Sequence, residues 1–439
     1  MQLMPPSVPT DEEQRPGALG SDLGSAMARR RFCQSLAGLV AGSACAGVLP
    51  ASEALAQPAD TNRNGRQEAP KAMPQSNTPY FAYVGSRTTR ERNARGDGLS
   101  VYRVDPAAAD WTPVQVLRDL INPSFLCFDR QRRFLYVVHG DRSEISAFRI
   151  DPASGELNFL NQVSTGGKNP VHLCVDPTNR FVVVANHITS SLAVLAIAED
   201  GSLGTLCDLV TLTGKIGPHR VEQPFPKPHQ VQFDRADRFV VVPDKGLDRT
   251  FAFRLDAATG KLSAVEGAAA EAREGAGPRH IVFHPTNRFA YVVNELDSTV
   301  TACRFDAETG RLAPIQVLSA LPDSFVGNSR AAEIAMSTNG RFVYASNRGH
   351  ESIAAFAVDE ATGRLTPAGW QAAEGRTPRF FALSPEDDVL FVANEDSDSI
   401  VGFRVDPRTG ALAFPTTVAR TGSPVCILFN PAGNGQPRL

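Results

Sequence analysis

The stretch Gly277–Arg311 reads GPRHIVFHPTNRFAYVVNELDSTVTACRFDAETGR, and its punctuation decides the fold. Arg279 to Phe283 is a short alternating run, and His284-Pro285-Thr286-Asn287 turns the chain. Phe289 to Val293 is a second run, closed by Asn294-Glu295. Leu296-Asp297-Ser298 then turns into a third, Thr299 to Phe305. Asp306-Ala307-Glu308-Thr309-Gly310 leads to a fourth run that begins at Leu312. β-Branched and aromatic runs separated by Pro, Asn, Asp and Gly predict an up-and-down antiparallel sheet. Such a sheet cannot cover both of its faces alone and needs copies of itself on either side.

Working outward, the copies are found. The start of the second run recurs as Arg133-Phe134, Arg180-Phe181, Arg238-Phe239, Arg288-Phe289 and Arg341-Phe342, and in degraded form as Val389-Leu390; successive spacings are 47, 58, 50, 53 and 48 residues. The third turn recurs as Asp151 to Gly155, Asp256 to Gly260, Asp306 to Gly310, Asp359 to Gly363 and Asp406 to Gly410. Asp accepts from the backbone of such a turn, and Gly takes the positive φ that ends it. A period near 50 with two anchors in phase predicts an all-β, seven-bladed β-propeller with four antiparallel strands per blade.

The blades are expected near 123–163, 170–209, 228–266, 278–318, 330–369 and 378–418. Tyr80 to Val84, Leu99 to Val104 and Trp111 to Leu117 supply three strands of one more blade. Ser423 to Phe429 is an inner-type strand with no blade after it. The C-terminal strand therefore completes that first blade and closes the ring, removing its open edges. Residues 79–431 form the propeller and 432–439 a tail.

Ahead of it, residues 1–56 read as a leader. Arg29-Arg30-Arg31-Phe32-Cys33 fits a twin-arginine signal, Leu36 to Leu49 is weakly apolar, and Ala54-Leu55-Ala56 is a small-residue cleavage site. Met27 serves equally well as a start, and the mature chain would begin at Gln57, followed by a polar, flexible linker over 57–78. Export to the periplasm or outside the cell follows, or a cytoplasmic location should the signal fail. Cys45 sits in a poor lipoprotein context. No run is long enough for a membrane span. A net charge of −3 with mixed signs gives no nucleic-acid footprint. Five cysteines follow Gln57, at 127, 174, 207, 303 and 426, without ligand spacing, and read mainly as small core residues; a disulfide stays open in an exported protein, and the sequence assigns none. No cofactor or metal site is expected, and the chain is expected to be a monomer.

The first and second strands of a blade are antiparallel neighbours, so the start of one lies beside the end of the other. In a propeller the first strand lines the central channel. Residues opening each first strand and closing each second strand should thus share one rim. Opening positions are Ser124, Val171, His229, Arg279, Ala332, Arg379 and Val425, with His280 and Glu333 as matched neighbours. Closing positions include His139, His187, Lys245, Glu295, Arg348 and Glu395. Opposite charges alternating round a concave site can grip an anionic substrate and shift each other's pKa values. A blade-internal ion pair between Arg279 and Glu295 is the plainer reading of those two. The longest insertion, Thr213 to Lys227, carries Lys215, His219, Arg220 and Lys227.

Pro228-His229, Gly277 to His280, Asn294 to Thr299, Ser346 to Ile353 and Asn394 to Asp398 resemble the lactonase family of seven-bladed propellers, which includes the propeller-type 6-phosphogluconolactonases and the fungal carboxy-cis,cis-muconate lactonizing enzyme. The resemblance spans about residues 78 to 431 and implies His229, Arg279, Glu295 and Arg348 as catalytic residues. It departs after His229, where Gln230-Val231-Gln232 replaces the family's second His. His187, Lys245, His280, Glu333, Arg379 and Glu395 are further substrate-binding candidates. Arg279 and Arg348 would pair with a carboxylate or phosphate, and Glu295 or His229 would move a proton. No G-x-S-x-G nucleophile elbow occurs, so direct hydrolysis without an acyl-enzyme is expected. The implied function is hydrolysis of a sugar or organic-acid lactone at the channel mouth. Alternatives are a muconate-type cyclase and a non-catalytic propeller that binds a ligand or protein at the same rim.

Overall fold

In the computed structural model, Pro424–Pro431 pairs antiparallel with Tyr80–Ser86, so the last strand is the inner strand of the blade that the first strand begins. That sheet continues outward through Leu99–Val104 and Trp111–Leu117. Six further antiparallel sheets follow at 123–164, 170–211, 228–271, 278–319, 330–372 and 378–420, each ordered from inside to outside. The structure describes residues 79–106 and 111–431. The twin-arginine leader, the linker and the 432–439 tail lie outside the described residues.

Blade four departs from expectation. Its inner strand is regular only at Gln232–Phe233, preceded by a single bridge from Pro228 to Asp244. A short extra strand, Ala270–Glu271, pairs with Arg249–Asp256. The irregular inner strand follows the long insertion, and residues 227–229 are tied to the chain around Asp244: Asp244 Oδ1 accepts from the backbone N–H of Lys227, Gly246 and Leu247, and His229 N–H donates to the Pro243 carbonyl at 3.0 Å.

The two sequence anchors recur because they touch. A Cβ built at Gly310, in the outer turn of blade five, would stand 2.6 Å from the Phe239 ring of blade four. Gly363 meets Phe289 in the same way, and Gly410 meets Phe342. Gly310 holds φ at +75°, and the Asp306 carboxylate accepts from Glu308 N–H at 2.9 Å. Each turn thus seats against the aromatic ring that opens the second strand of the preceding blade. The apolar clusters lie in the same seams: Tyr291 and Val293 of blade five pack with Val343 and Phe356 of blade six. That burial is what makes every blade require its neighbours.

A second recurrent feature positions the site. In blade five Pro278 pairs with Asn294 but His280 pairs with Val293, so two steps on the inner strand match one on its partner. The same extra residue occurs after Pro123, Pro170 and Pro378. In blade six it falls between Ala331 and Ile334. Such a bulge re-aims side chains next to it. It frees Ser124, Arg279 and Arg379 from the ladder at the start of each inner strand.

Candidate active site

Glu295 is the centre of the charged cluster. The preceding residue, Asn294, ends the second strand of blade five and is anchored by Thr299 and Thr301, whose hydroxyls accept from its Nδ2 at 2.8 and 3.0 Å. Four cationic groups surround the Glu295 carboxylate: Lys245 Nζ at 3.2 Å, Arg279 Nε at 3.4 Å, Arg348 Nη2 at 3.5 Å and Arg330 Nη1 at 3.9 Å. His229 Nε2 lies 4.0 Å from Oε2 of the same carboxylate. The Glu295 and Arg279 side chains are only 5% and 4% exposed, so these charges interact with little screening by water. Burial pushes the Glu295 carboxyl up, but Lys245, Arg348, Arg279 and Arg379 outweigh it and hold the group ionised, well below the usual carboxylate range.

A second pair adjoins the first. His280 Nδ1 sits 3.0 Å from Glu333 Oε1, and Arg279 Nη1 stands 3.9 Å from Glu333 Oε2. Glu333 is pushed up to about 7 by burial, against the pull of Arg279. Burial, reinforced by Arg279, keeps His229 and His280 neutral, well below 6.5. Several buried polar atoms here have no hydrogen-bond partner among the described residues: Nδ1 of His229, Nε2 of His280, Nε of Arg279, Nδ1 of His172 and Oγ of Ser124. All belong to residues near the start of inner strands. Buried polar atoms are ordinarily paired, so this convergence marks a place where a ligand would complete them.

The sequence-level candidates separate into groups. His229, Lys245, Arg279, Glu295 and Arg348 meet on one carboxylate, and His280 and Glu333 join them through Arg279. The His187 ring packs edge-on against His229 at 5.0 Å, and its Nδ1 lies 3.2 Å from the Pro228 carbonyl oxygen. Burial, with Lys245, lowers His187 to about 3. Arg379 and Glu395 face one another at 3.9 Å and reach the Glu295 group only through longer-range electrostatics.

Sequence reasoning missed four participants. Glu222 holds Lys245 at 3.0 Å and Arg330 at 2.7 Å, tying the long insertion over the cluster. The insertion was marked by its basic residues, yet Lys215 pairs at 2.8 Å with Glu274, both exposed. Arg330 precedes the position that Pro occupies in other blades. His172 and Phe125 occupy the second inner-strand position of blades three and two. Their rings stack at 4.0 Å, and both pack near His280, at 5.5 and 6.0 Å. His172 and Phe125 take the place in the repeat that His280 takes in blade five, which is the signal that would have found them. Among the described residues the five cysteines are free thiols; Cys174, Cys303 and Cys426 are buried as core residues, whereas Cys127 and Cys207 are half-buried, Cys207 on the outer strand of blade three.

Fold and cluster together define a seven-bladed propeller with a buried ionic cluster built where its inner strands begin and its second strands end. The family described as "Lactonase, 7-bladed beta-propeller" matches residues 81–429, and the chain belongs to that family of 6-phosphogluconolactonase-like enzymes. It is 34% identical over 354 residues to a 6-phosphogluconolactonase of Bacillus subtilis, covering 80% of this chain and 99% of the relative. Among solved structures, the periplasmic gluconolactonase PpgL of Pseudomonas aeruginosa superposes with a TM-score of 0.74 at 31% identity, over 81% of this chain and all of that one (100%). A putative 6-phosphogluconolactonase of Bacteroides fragilis gives 0.72 at 29% identity, covering 82% of this chain and 100% of the other.

Proposed function

We propose that this chain hydrolyses a sugar or organic-acid lactone to its hydroxy acid at the mouth of the central channel. One observation carries the reading: a neutral, incompletely bonded His229 lies beside an ionised Glu295 that is itself ringed by guanidinium and ammonium groups. His229 takes a proton from water as the water oxygen bonds to the lactone carbonyl carbon. Glu295 offsets the positive charge that then develops on the imidazole. Arg279 and Arg348 face the carbonyl oxygen as it becomes an oxyanion. Collapse breaks the ring C–O bond, and the imidazolium returns its proton to the departing ring oxygen. Glu295 is a poor proton acceptor because its neighbours stabilise the ionised form, so the base is assigned to His229. The lactonase family and the names of its relatives support the reaction class.

We also infer that the protein is exported by the twin-arginine route, on the order of basic, apolar and small-residue segments over residues 29–56. An exported enzyme would act away from the cytoplasm, where 6-phosphogluconolactone is made. The reading is tested by titrating acid release, in a pH-stat, from aldonolactones and their 6-phosphates with protein 57–439. Acid release above the uncatalysed rate is expected for at least one lactone. A folded protein that opens none of them overturns the proposal.

A further inference from the structure

The pairing register brings one residue per blade to the same height, immediately after the partner of the opening residue. In blades five, six and seven these are Glu295, Arg348 and Glu395, following Asn294, Asn347 and Asn394. In blade one the equivalent is Arg87, and in blade two it is Gly140. Gly140 thus interrupts a run of long side chains. A Cβ at that position would stand 2.8 Å from both Arg87 Nη1 and Ser124 Oγ. With no side chain there, the Arg87 guanidinium and the Ser124 hydroxyl close together against Gly140.

Neither group is fully used within the protein. Ser124 Oγ is buried without a hydrogen-bond partner among the described residues. Arg87 is buried, and the carboxylate it meets, Asp141, is 3.4 Å away. That same carboxylate is taken up by Arg92 Nε at 2.7 Å and Asn122 Nδ2 at 3.2 Å. Burial, then Arg379 and Arg92, pushes the Arg87 guanidinium down to about 9, so its positive charge is opposed more than it is neutralised. Arg379 opens the inner strand of the adjacent blade seven and meets Glu395 only at 3.9 Å. Guanidinium groups with this surplus favour an oxyanion, which accepts from both the fork and a hydroxyl.

We propose that Arg87, Ser124 and Arg379 form an anion subsite around Gly140, taking a phosphate or carboxylate borne by the substrate at the end remote from its lactone carbonyl. Its role in substrate choice rests on the lactonase reading; its capacity to bind an oxyanion does not. The subsite lies on blades one, two and seven, whereas the Glu295 cluster lies on blades four, five and six. One lactone with an acidic tail would therefore engage both.

Two measurements test this on protein 57–439 and its Arg87→Met and Gly140→Ala variants. The first is inorganic phosphate binding by calorimetry. In Gly140→Ala the new methyl would stand 2.8 Å from Arg87 Nη1 and Ser124 Oγ and 3.2 Å from Ser124 Cβ, so it pushes apart the two groups that would hold the anion, while Arg87→Met removes the charge without crowding Gly140. Both variants are expected to weaken phosphate about tenfold or more. The second compares kcat/KM for a neutral aldonolactone, its 6-phosphate and an aldaric acid lactone. Preference for one acidic substrate over the neutral lactone should fall about tenfold in both variants, and which acid is affected identifies the natural tail. Phosphate affinity that is unchanged in both variants overturns the subsite, whether or not lactones are hydrolysed. Phosphate binding that is lost in both, in a protein that opens no lactone, upholds the subsite and removes the lactonase reading instead.

Discussion

Arg279 Nε lies 3.4 Å from Glu295 Oε2, and the antiparallel pairing of Pro278 with Asn294 is what puts them there. The bulge after Pro278 turns Arg279 out of the ladder, and the end of the next strand presents Glu295 to it. Lys245, Arg348 and His229 complete the group from the neighbouring blades. Within this arrangement Glu295→Gln keeps the shape but leaves the cations unbalanced and the His229 imidazolium without a counter-charge. It is expected to lower kcat about 10²-fold with little change in KM, and His229→Gln at least as much. Arg279→Ala should raise KM as well, because the guanidinium also holds the ground state. A His229→Gln enzyme of full activity would remove His229 as the base.

The titration of the buried site predicts the pH dependence of stability. His172, His229 and His280 are kept neutral mainly by burial, well below 6.5, so the stability they contribute is present above 6.5 and lost as the pH falls. Glu333 acts in the opposite sense. Raised from 4.5 to about 7, it contributes stability that is full below 4.5 and lost as the pH rises through 7. Between about pH 5 and 6.5 the unfolded chain binds more protons, because three histidines outweigh one carboxyl. Urea unfolding should show stability falling as the pH is lowered from 6.5 to 5. His172→Phe should reduce the slope by about one proton, and an identical slope would contradict the assignment of a neutral buried His172.

Gly310→Ala tests the seam between blades. The substitution forces a side chain into φ of +75° and drives its Cβ against the Phe239 ring. A loss of about 1–3 kcal/mol is expected, read as a lower Tm. A neutral effect would mean that the turn does not bear on the preceding blade.

Removing 421–439 tests ring closure. Without Pro424–Pro431 the inner edge of Tyr80–Ser86 is left unpaired, and the Cys426 and Ile427 side chains are lost from the core shared with blade seven. The truncated protein should associate or melt well below the full chain. Monomeric behaviour with an unaltered Tm would count against closure as a stabilising device.

Export is tested by Arg29→Lys with Arg30→Lys. A receptor-read signal should then leave precursor in the cytoplasm, detected by fractionation, with the normal mature N-terminus near Gln57 in the parent protein. Undiminished export of the double variant would refute the twin-arginine route.

The repeat, the number of blades and the closing strand were legible in the sequence because they rest on local signals. Alternation of period two, a Pro, Asn or Asp-Gly turn and a fixed spacing act within one blade or between adjacent ones. Arg279 with Glu295 was legible for the same reason: sixteen residues apart, they are joined by one hairpin whose ends must meet. Other parts were decided only when seven blades closed on a common axis. His280 finds Glu333 across 53 residues, and Glu222 reaches Arg330 across 108, from an insertion with no repeat partner to predict its path. The bulge that frees Ser124, Arg279 and Arg379 is a feature of pairing between strands, invisible in the residue pattern of either one. Ionisation is likewise tertiary. Glu295 and Glu333 are the same residue type in similar burial, yet one is held ionised by surrounding cations and the other is driven toward its neutral form. That difference depends on how many charges each carboxyl meets and on the exclusion of water around it, which the closed ring alone determines.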